Sequence, residues 1–473
     1  MGLVLEMILI KFMWFRYLLI SFIICCSSTK LLATSIKQNI NGELNLKSTS
    51  YTTQITDEAK LNRSYHYSLN LSHNWSGDIF NGGGKLVGGH FSELNQSYLV
   101  VPELFGSTIF ITRNTKITLG RKLNSWSQID NYWQTSFWQP QFNTDPLIPI
   151  QQGLTGINFE WSEKNRFKGG LFYSSFFMPN MGSKINSKNG RLEVFNRWIL
   201  SPSREFPLQG KSTQIMYTLD QPSVLKIINQ KTIALYSQFG DEELGPHISL
   251  SWAHKPINEL VLSFNGRLLL DEADTFGDVV ILPHVVSHEI SSADLSYSWE
   301  HSKFIFSFLK DNPENLIVPY SWNMQNLEKI NALSARYDLF LSKISKWRGE
   351  VGISRLIING GRIFEFESDG SRGNTLSGFR VPFTDAWSLD YKGPFLGFSR
   401  NFMTTEFRFL RDFSQKGSML NAEVQIKPVK DWNFSLGADV IGVQDNSEKN
   451  SSKAFLNQYR ANDRIYAGAG YVF

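Results

Sequence analysis

Past residue 33 the chain is rich in aromatic residues, yet it contains no long apolar run. Aromatic residues make up 14% of the chain and charged residues 19%, the latter below the roughly 25% of typical soluble domains. A membrane-spanning helix needs about 20 apolar residues in succession, and no such run follows residue 33. Because every backbone N–H and C=O group in lipid must be bonded within the protein, a membrane-spanning chain without such helices has to form a closed β-barrel.

Windows of about ten residues with alternating apolar and polar side chains recur along the chain. They include Tyr65–Leu71, Ile157–Trp161, Leu295–Trp299, Leu333–Leu341, Phe402–Phe409, Leu420–Ile426 and Trp432–Val440. A period of two residues predicts β-strands, and the polar turns between neighbouring windows predict antiparallel hairpins. A soluble β-sandwich alternates in the same way, but the number of windows and the lack of helical segments between them favour the barrel.

The connections between these windows are of two kinds. Glu163–Arg166 and Lys255–Asn258 predict tight hairpin turns. Longer polar connections are Ser183–Gly190, Asp311–Gln325, Gly360–Asn374 and Asp445–Lys453. Short turns at one end and long loops at the other are typical of outer-membrane barrels. The sequence therefore predicts an all-β chain in which residues 63–473 form a closed antiparallel transmembrane β-barrel of roughly 16–18 strands.

The N-terminus has the composition of an export signal. Lys11 and Arg16 supply positive charge, Tyr17–Cys26 is a short apolar core, and Ala33 ends a candidate cleavage site. This order of features predicts a signal peptide over residues 1–33 that is removed on export. A retained membrane anchor is the alternative, but the apolar core is shorter than a membrane span requires.

Both cysteines of the chain, Cys25 and Cys26, lie inside the predicted signal. Lipidation of Cys26 is an alternative, although the residues before it are not the usual small ones. A mature chain without cysteine suits a protein closed by strand pairing better than a secreted domain held by disulfides. Residues 34–62 are polar and predict a short periplasmic segment. The net charge of +4 gives no electrostatic reason to expect a nucleic-acid partner.

The last ten residues form the most specific pattern in the chain. Ile465, Ala467, Ala469, Tyr471 and Phe473 occupy alternate positions, and Phe473 is the final residue. This resembles the terminal strand of Gram-negative outer-membrane barrels, which the barrel-assembly machinery recognises. The resemblance implies a location in the outer membrane, contact with its lipid, and an assembly signal that includes Phe473 and Tyr471.

A second resemblance concerns Thr115–Arg121, which reads as a strand ending in Gly-Arg before a long segment, residues 122–152. In general porins a similar strand precedes the loop that folds into the lumen and narrows the pore. The resemblance implies an inward-folded constriction loop here, with a transverse field set by charges of both signs. The candidate pore residues are Arg121, Lys122, Asp130 and Asp145. The alternative is a loop packed on the barrel rim, with Arg121 a strand-end charge.

The same segment is dense in aromatic residues. Trp126, Trp133 and Trp138 are candidates for stacking on the faces of sugar rings. Anchoring at the membrane interface and packing within the loop explain the same residues. The sugar interpretation leads to a second functional hypothesis, a plugged barrel that binds or attaches surface polysaccharide, similar to capsule-attachment proteins.

Catalytic and metal-binding motifs are missing from the sequence. His284 and His288 on one strand would lie roughly 13 Å apart, too far to share one tetrahedral ion. Gly82–Lys85 lacks the spacing of a phosphate-binding loop and predicts a glycine-rich hairpin turn. No nucleophile elbow is present. An outer-membrane enzyme using Glu289, His288 or Asp294 is therefore a weaker alternative; no catalytic residue, metal or cofactor is predicted.

Taken together, these features lead us to expect a porin-like outer-membrane channel for passive passage of small hydrophilic solutes. Its expected partners are outer-membrane lipid, the assembly machinery, and a small hydrophilic solute or a polysaccharide.

Overall fold

A computed structural model describes most of the chain from residue 37 onward. The described residues are 37–473 apart from 55–59, 78, 110–113, 164–165, 189, 271–274, 316–321, 342–348, 366–375, 395–401 and 445–452. The predicted signal, residues 1–33, lies outside this part of the chain.

Strands account for most of the described residues. In chain order they are β1 (Lys37–Tyr51), β2 (Arg63–Ser76), β3 (Phe80–Phe91), β4 (Gln96–Ile109), β5 (Thr115–Lys122), β6 (Gln141–Asn143), β7 (Ile150–Gln151), β8 (Leu154–Glu163), β9 (Phe167–Ser174), β10 (Met181–Gly182), β11 (Asn186–Lys188), β12 (Arg191–Glu193), β13 (Glu205–Leu208), β14 (Lys211–Leu219), β15 (Thr232–Gly240), β16 (Gly245–Pro256), β17 (Val261–Leu270), β18 (Thr275–His284), β19 (Ser287–Ser298), β20 (Ser302–Pro313), β21 (Asn323–Leu327), β22 (Ile330–Phe340), β23 (Glu350–Gly360), β24 (Arg362–Glu365), β25 (Leu376–Phe379), β26 (Asp385–Gly393), β27 (Met403–Asp412), β28 (Gly417–Val429), β29 (Trp432–Val443) and β30 (Arg464–Val472). The helices are α1 (Gln128–Trp133), α2 (Val224–Ile228) and α3 (Phe455–Gln458). Within the described residues, no helix has the length and apolar character to cross a membrane.

Among the described residues, eighteen strands form one closed antiparallel barrel. Its members are β1–β5, β8, β9, β15, β16, β19, β20, β22, β23 and β26–β30. Each pairs with the barrel strand before and after it, and β30 closes the sheet on β1. Closure leaves no unpaired edge. The strand number agrees with the prediction of 16–18.

The first barrel strand corrects one prediction. Residues 34–62 were expected to be a periplasmic segment, but residues 37–51 form β1, which pairs with both β2 and β30. The polar composition was misleading because the inward positions of β1 include Glu43, Asn45, Lys47 and Thr49. Only the outward positions, such as Ile40 and Leu44, are exposed large apolar residues.

The two ends of the barrel differ in their connections. One end, the turn rim, has connections such as residues 299–301 and 430–431, whereas the other, the loop rim, has residues 123–153 and 175–231. Of the four predicted long polar connections, Ser183–Gly190 falls between the barrel strands β9 and β15 at the loop rim. Asp311–Gln325 and Gly360–Asn374 begin at the loop-rim ends of β20 and β23, and parts of both lie outside the described residues, as does nearly all of Asp445–Lys453. The predicted turn at Lys255–Asn258 is wrong as a barrel hairpin. After it, β17 leaves the barrel to pair with β18, and an exposed hairpin alternates just as a barrel hairpin does.

The outer surface of the barrel is apolar. In β19, for example, Leu295 and Tyr297 face outward and are 50% and 43% exposed, whereas Asp294 and Ser296 face inward. At the C-terminus, Ile465, Tyr471 and Phe473 are also exposed together, as the alternation predicted. A continuous outward band of large apolar side chains around a closed barrel is suited to contact with lipid.

Gly82–Lys85 corrects a smaller prediction, because these residues lie inside β3 and not in a turn. Gly82 pairs with Trp75 of β2. A Cβ atom at Gly82 would lie 2.2 Å from the Trp75 ring. The glycine is therefore needed for close packing of an indole ring on the strand and not for a turn.

Candidate functional site

The segment between β5 and β8 folds into the barrel lumen. The carbonyl oxygen of Trp126 accepts hydrogen bonds from the hydroxyls of Ser251 on β16 (2.8 Å) and Ser292 on β19 (2.6 Å). The Trp133 indole N–H donates to the Ser334 hydroxyl on β22 (3.1 Å). These wall residues face inward. The inward-folded loop expected from the sequence is therefore confirmed.

Asp130 holds the loop in its folded shape. Its carboxylate accepts hydrogen bonds from the Thr135 hydroxyl (2.7 Å) and from the backbone N–H groups of Phe137 (2.7 Å) and Trp138 (3.0 Å). Burial raises the pKa of the Asp130 carboxyl, and these hydrogen bonds oppose the rise. Asp130 is 3% exposed, so it is a structural residue of the loop and does not offer its charge to an open lumen, contrary to the expectation.

The tryptophans of the loop form a core of their own. Trp126, Trp133 and Trp138 are each at most 4% exposed. The Trp126 ring packs against those of Trp138 (centroids 5.4 Å apart) and Phe172 (5.7 Å). Stacking on a sugar requires an uncovered ring face. These three rings have none, so the alternative in which they pack the loop describes this structure.

The barrel wall beneath the loop is apolar as well. The inward residues that join this core are Ala234, Ala253, Ile290, Leu309, Ile330, Ala332, Leu356, Ile358, Ala386, Leu410, Met419 and Ile441. The sequence analysis did not identify them. A usable signal was the run Leu356-Ile357-Ile358 in β23, because consecutive apolar residues in a strand indicate that both faces are covered.

Arg121 lies in the rim of the wall. Its guanidinium donates to the Thr155 hydroxyl on β8 (3.0 Å), to the Val101 carbonyl on β4 (3.0 Å) and to the Gln152 side chain (3.4 Å). These bonds tie β4, β5 and the end of the loop together. Its position matches the alternative of a strand-end charge.

The other two predicted pore charges lie in different places. Lys122 lines a cavity of about 260 Å³ on the turn-rim side of the loop. Asp145 forms an ion pair with Arg464 of β30, which also pairs with Asp439 of β29. The structure therefore does not bring Arg121, Lys122, Asp130 and Asp145 together in one constriction.

A second cavity, of about 120 Å³, lies beside the loop near the loop rim. It is lined by Lys47, His66, Tyr98, Arg464 and Asp145 among others. Its barrel wall comes mainly from β1, β2, β4 and β30, and the inward loop (residues 142–150) and residues 195–198 cover the rest. The sequence analysis identified Asp145 but not its neighbours, because they come from strands far apart in the chain.

A buried ionic network fastens the loop to the wall. The Lys255 ammonium donates to the Phe137 carbonyl (3.2 Å) and approaches His288 Nε2 (3.4 Å). His288 Nδ1 bonds Asp311, whose other oxygen pairs with Arg380. Lys255, His288 and Asp311 are fully buried. Since such charges are costly unless paired, the network fixes three wall strands, the loop and the β25–β26 connection in one arrangement.

Three inward tyrosines lie flat over glycines of the neighbouring strand. The crossings are Tyr98 over Gly89, Tyr236 over Gly170 and Tyr466 over Gly437. In the last, a Cβ at Gly437 would lie 2.4 Å from the Tyr466 ring, and the Tyr466 hydroxyl donates to Glu423 on the strand beyond (3.0 Å). The glycines thus let the rings lie along the wall, which keeps them out of the lumen.

The histidines considered in the sequence analysis lie in different parts of the fold. Within the described residues, no group of three or more His, Cys, Asp or Glu side chains is placed to hold a metal ion. His284 lies on β18 in a loop and His288 on β19 in the wall, so the two do not share a strand.

Comparison with known proteins identifies no family. No family model matches the chain, and no curated protein matches it either. Solved structures that it resembles include a mutant porin of Rh. blastica (10% identity, TM-score 0.38, 92% of this chain and 100% of that chain) and OccK11 (OpdR) of Pseudomonas aeruginosa (8%, 0.45, 92% and 96%). OccAB2 of Acinetobacter baumannii is a third (9%, 0.47, 93% and 98%).

Proposed function

We propose that this chain is an outer-membrane channel through which small hydrophilic solutes diffuse passively. The observation that carries the proposal is the loop of residues 123–153, which enters a closed barrel and packs its tryptophan core against one part of the wall. The lumen keeps two cavities with charged and polar linings, one at the base of the loop and one beside it. A wide barrel whose lumen is narrowed by its own loop has the architecture of a selective diffusion pore.

The outward surface supports the location. Large apolar side chains face outward along the barrel strands, as a lipid-facing wall requires. Phe473 closes the barrel by exchanging two backbone hydrogen bonds with Gly42 (both 2.9 Å). We propose that Phe473 and Tyr471 serve as the signal for the barrel-assembly machinery, and that residues 1–33 direct export.

The path of solutes runs beside the loop. The cavity near the loop rim places the cations Lys47 and Arg464 opposite Asp145 on the loop. Beyond it, the inward faces of β1 and β2 carry polar residues such as Asn45 and Asn70. We propose that Asp145 and Lys122 contribute to the field that solutes meet on either side of the loop.

The alternative function, binding of polysaccharide, depended on three exposed tryptophans. Trp126, Trp133 and Trp138 are buried in the loop core, so they offer no stacking surface. The enzyme alternative has a related weakness. His288, the group that would act as a base, is fully buried between Lys255 and Asp311.

The test is electrical. The purified barrel, shown to be folded by its heat-dependent shift on a denaturing gel, is added to planar lipid bilayers and to liposomes. We expect discrete conductance steps and swelling of liposomes in small sugars. A folded barrel that gives neither would overturn the proposal.

A further inference from the structure

The cavity of about 260 Å³ lies at the base of the inward loop, and we name it the loop-base cavity. Its upper wall is formed by loop residues that include Asn124 and Trp126. Its sides are inward residues of β8, β9, β15, β16, β19 and β20, and Glu242 of a turn-rim connection reaches its lower edge. The cavity therefore lies between the loop and the turn rim.

One side of the loop-base cavity holds an incompletely bonded carboxylate. Asp294 on β19 is 5% exposed, and one of its oxygens accepts a hydrogen bond from the backbone N–H of Gln128 (3.2 Å). The Ser307 hydroxyl of β20, directly opposite in the sheet, also lies beside the carboxylate, but Oδ1 has no hydrogen bond of ordinary geometry among the described residues. A buried carboxylate oxygen without a donor is costly, so this position favours a ligand that brings an ammonium or another strong donor.

Another side of the cavity holds an ammonium that makes no salt bridge among the described residues, although Glu160 and Glu103 lie near it. Lys122 lies at the end of β5. This strand and the Asp294 strand, β19, are the first and last of six consecutive barrel strands. The Lys122 Nζ is 5.3 Å from the centre of the Phe105 ring, and no carboxylate lies within salt-bridge distance of it among the described residues. The nearby Glu160 is already bonded by Lys168 (3.4 Å) and by the Tyr236 hydroxyl (3.0 Å).

The remaining charges of the cavity are largely balanced. Glu160 is paired with Lys168, and Lys303 lies 4.0 Å from Glu242. The unsatisfied groups are therefore one cation and one anion, on separate walls of one cavity. A solute with a single charge can complement one of them. A solute with an ammonium at one end and a carboxylate at the other can complement both.

We propose that the loop-base cavity binds small zwitterionic solutes, with the ammonium of the solute at Asp294 and its carboxylate at Lys122. The inference rests on the proposed function, because it names the class of solute that the channel favours. Gln238 and Ser249 line the same cavity and supply neutral hydrogen-bonding groups between the two charged positions. Binding of a doubly matched solute gains two charge-assisted contacts, whereas a singly charged analogue gains one.

The test measures binding to the detergent-solubilised barrel and is independent of conductance. The probes are unbranched amino acids of increasing length, from glycine to 6-aminohexanoate, with hexanoate and hexylamine as single-charge analogues, followed by calorimetry. We expect the best amino acid to bind about tenfold more tightly than either analogue, the factor that one additional charge-assisted hydrogen bond supplies. The chain length with the highest affinity reports the gap between Lys122 and Asp294.

Two variants assign the ends of the ligand. Lys122→Gln should reduce the affinity of the best amino acid to that of hexylamine, and Asp294→Asn should reduce it to that of hexanoate. Lys85→Gln, an inward lysine of β3 outside the cavity, is the matched control and should change nothing. The heat-dependent gel shift verifies that each variant is folded.

Equal affinity for the best amino acid and both analogues, or no change on either substitution in a folded barrel, would overturn the inference. Conductance distinguishes the two proposals. A wild type that conducts but does not prefer zwitterions would overturn only the proposed binding site. A barrel that neither conducts nor swells liposomes would overturn the proposed channel.

Discussion

Two parts of the barrel wall differ in what covers their inner faces. From β8 to β29, inward residues such as Ile290, Leu309 and Leu356 are buried in the loop core. The strands β30 and β1–β4 contribute no described residue to that core. Their inner faces carry small and polar residues such as Asn45 and Gly468 instead. Both parts have the same apolar outer face, so the difference lies in how the loop meets the wall: its tryptophan core covers one part, and separate contacts such as the Asp145–Arg464 ion pair reach the other.

This difference shows how one barrel can hold both a packed core and open cavities. The loop does not plug the lumen evenly. It packs against the apolar wall through its tryptophans and through the Lys255–His288–Asp311 network. It reaches the polar wall of β30 and β1–β4 only at separate points, such as Asp145 with Arg464 and Phe142 on Tyr98. The experiments below should have large effects on the covered wall and small effects on the polar wall.

The largest expected effect is the loss of the ionic network. Asp311→Asn leaves Arg380 and His288 buried without their carboxylate, and removal of one partner from a buried pair costs about 3–5 kcal/mol. We expect a marked fall in the thermal unfolding temperature in detergent, followed by circular dichroism. Glu43→Gln on the polar wall of β1 is the control and should leave the midpoint nearly unchanged. An equal fall in unfolding temperature for both variants would show that the two walls do not differ in their contribution to stability.

The next effect concerns the apolar wall itself. Leu356→Ala opens a cavity under the loop, and such truncations of buried leucines cost about 2–5 kcal/mol. Ile357→Ala on the outward face of the same strand is the matched control, since Ile357 is 40% exposed. We expect the inward variant to unfold at the lower denaturant concentration. The opposite order would show that the loop contributes little to this wall.

A smaller effect should appear where β29 meets β30 of the polar wall, as a change of conductance with little change of stability. Gly437→Val forces the Tyr466 ring away from the strand and into the lumen, so single-channel conductance should fall. Gly106→Val is the control, because a Cβ there meets no atom within 4 Å. A Gly437→Val barrel with the conductance of the wild type would show that the packing of Tyr466 over Gly437 does not determine the width of the lumen.

The smallest effect is a dependence on pH. Burial raises the pKa of Asp130 in the folded loop. A carboxyl with a raised pKa holds its proton more tightly when folded, so this contribution to stability is complete below its ordinary pKa and is lost as the pH rises through the raised one. The stability of the wild type relative to Asp130→Asn should therefore increase as the pH falls through that window. A difference that does not vary with pH would contradict this account of Asp130.

The outward half of the fold could be predicted from sequence, and the inward half only in part. The alternation of apolar and polar residues predicted strands such as β19 and β20, because every second side chain of these strands belongs to the apolar outer surface of the barrel. The same rule failed at β1, where small and polar inward residues suggested a loop. Lys255, His288 and Asp311 could not be found in this way, because they come from three strands and meet only after the barrel has closed.

The inward loop was predicted from its length and its Gly-Arg start, but the roles of its residues were not. Asp130 and the tryptophans have the residue types of a pore or a sugar site. Burial decides between those roles and a packing role, and burial depends on the wall that the loop meets.

The central claim is that residues 123–153 narrow a conducting lumen. Because the Gln139 side chain donates to the carbonyl of Asn124, the two ends of the intervening segment are adjacent, and residues 125–138 can be replaced by a three-residue Gly-Ser-Gly linker. Single-channel recording of this variant beside the wild type is the most direct test. We predict stable conductance steps for the wild type and larger steps for the variant. Equal steps, or a folded wild type without conductance, would contradict the claim.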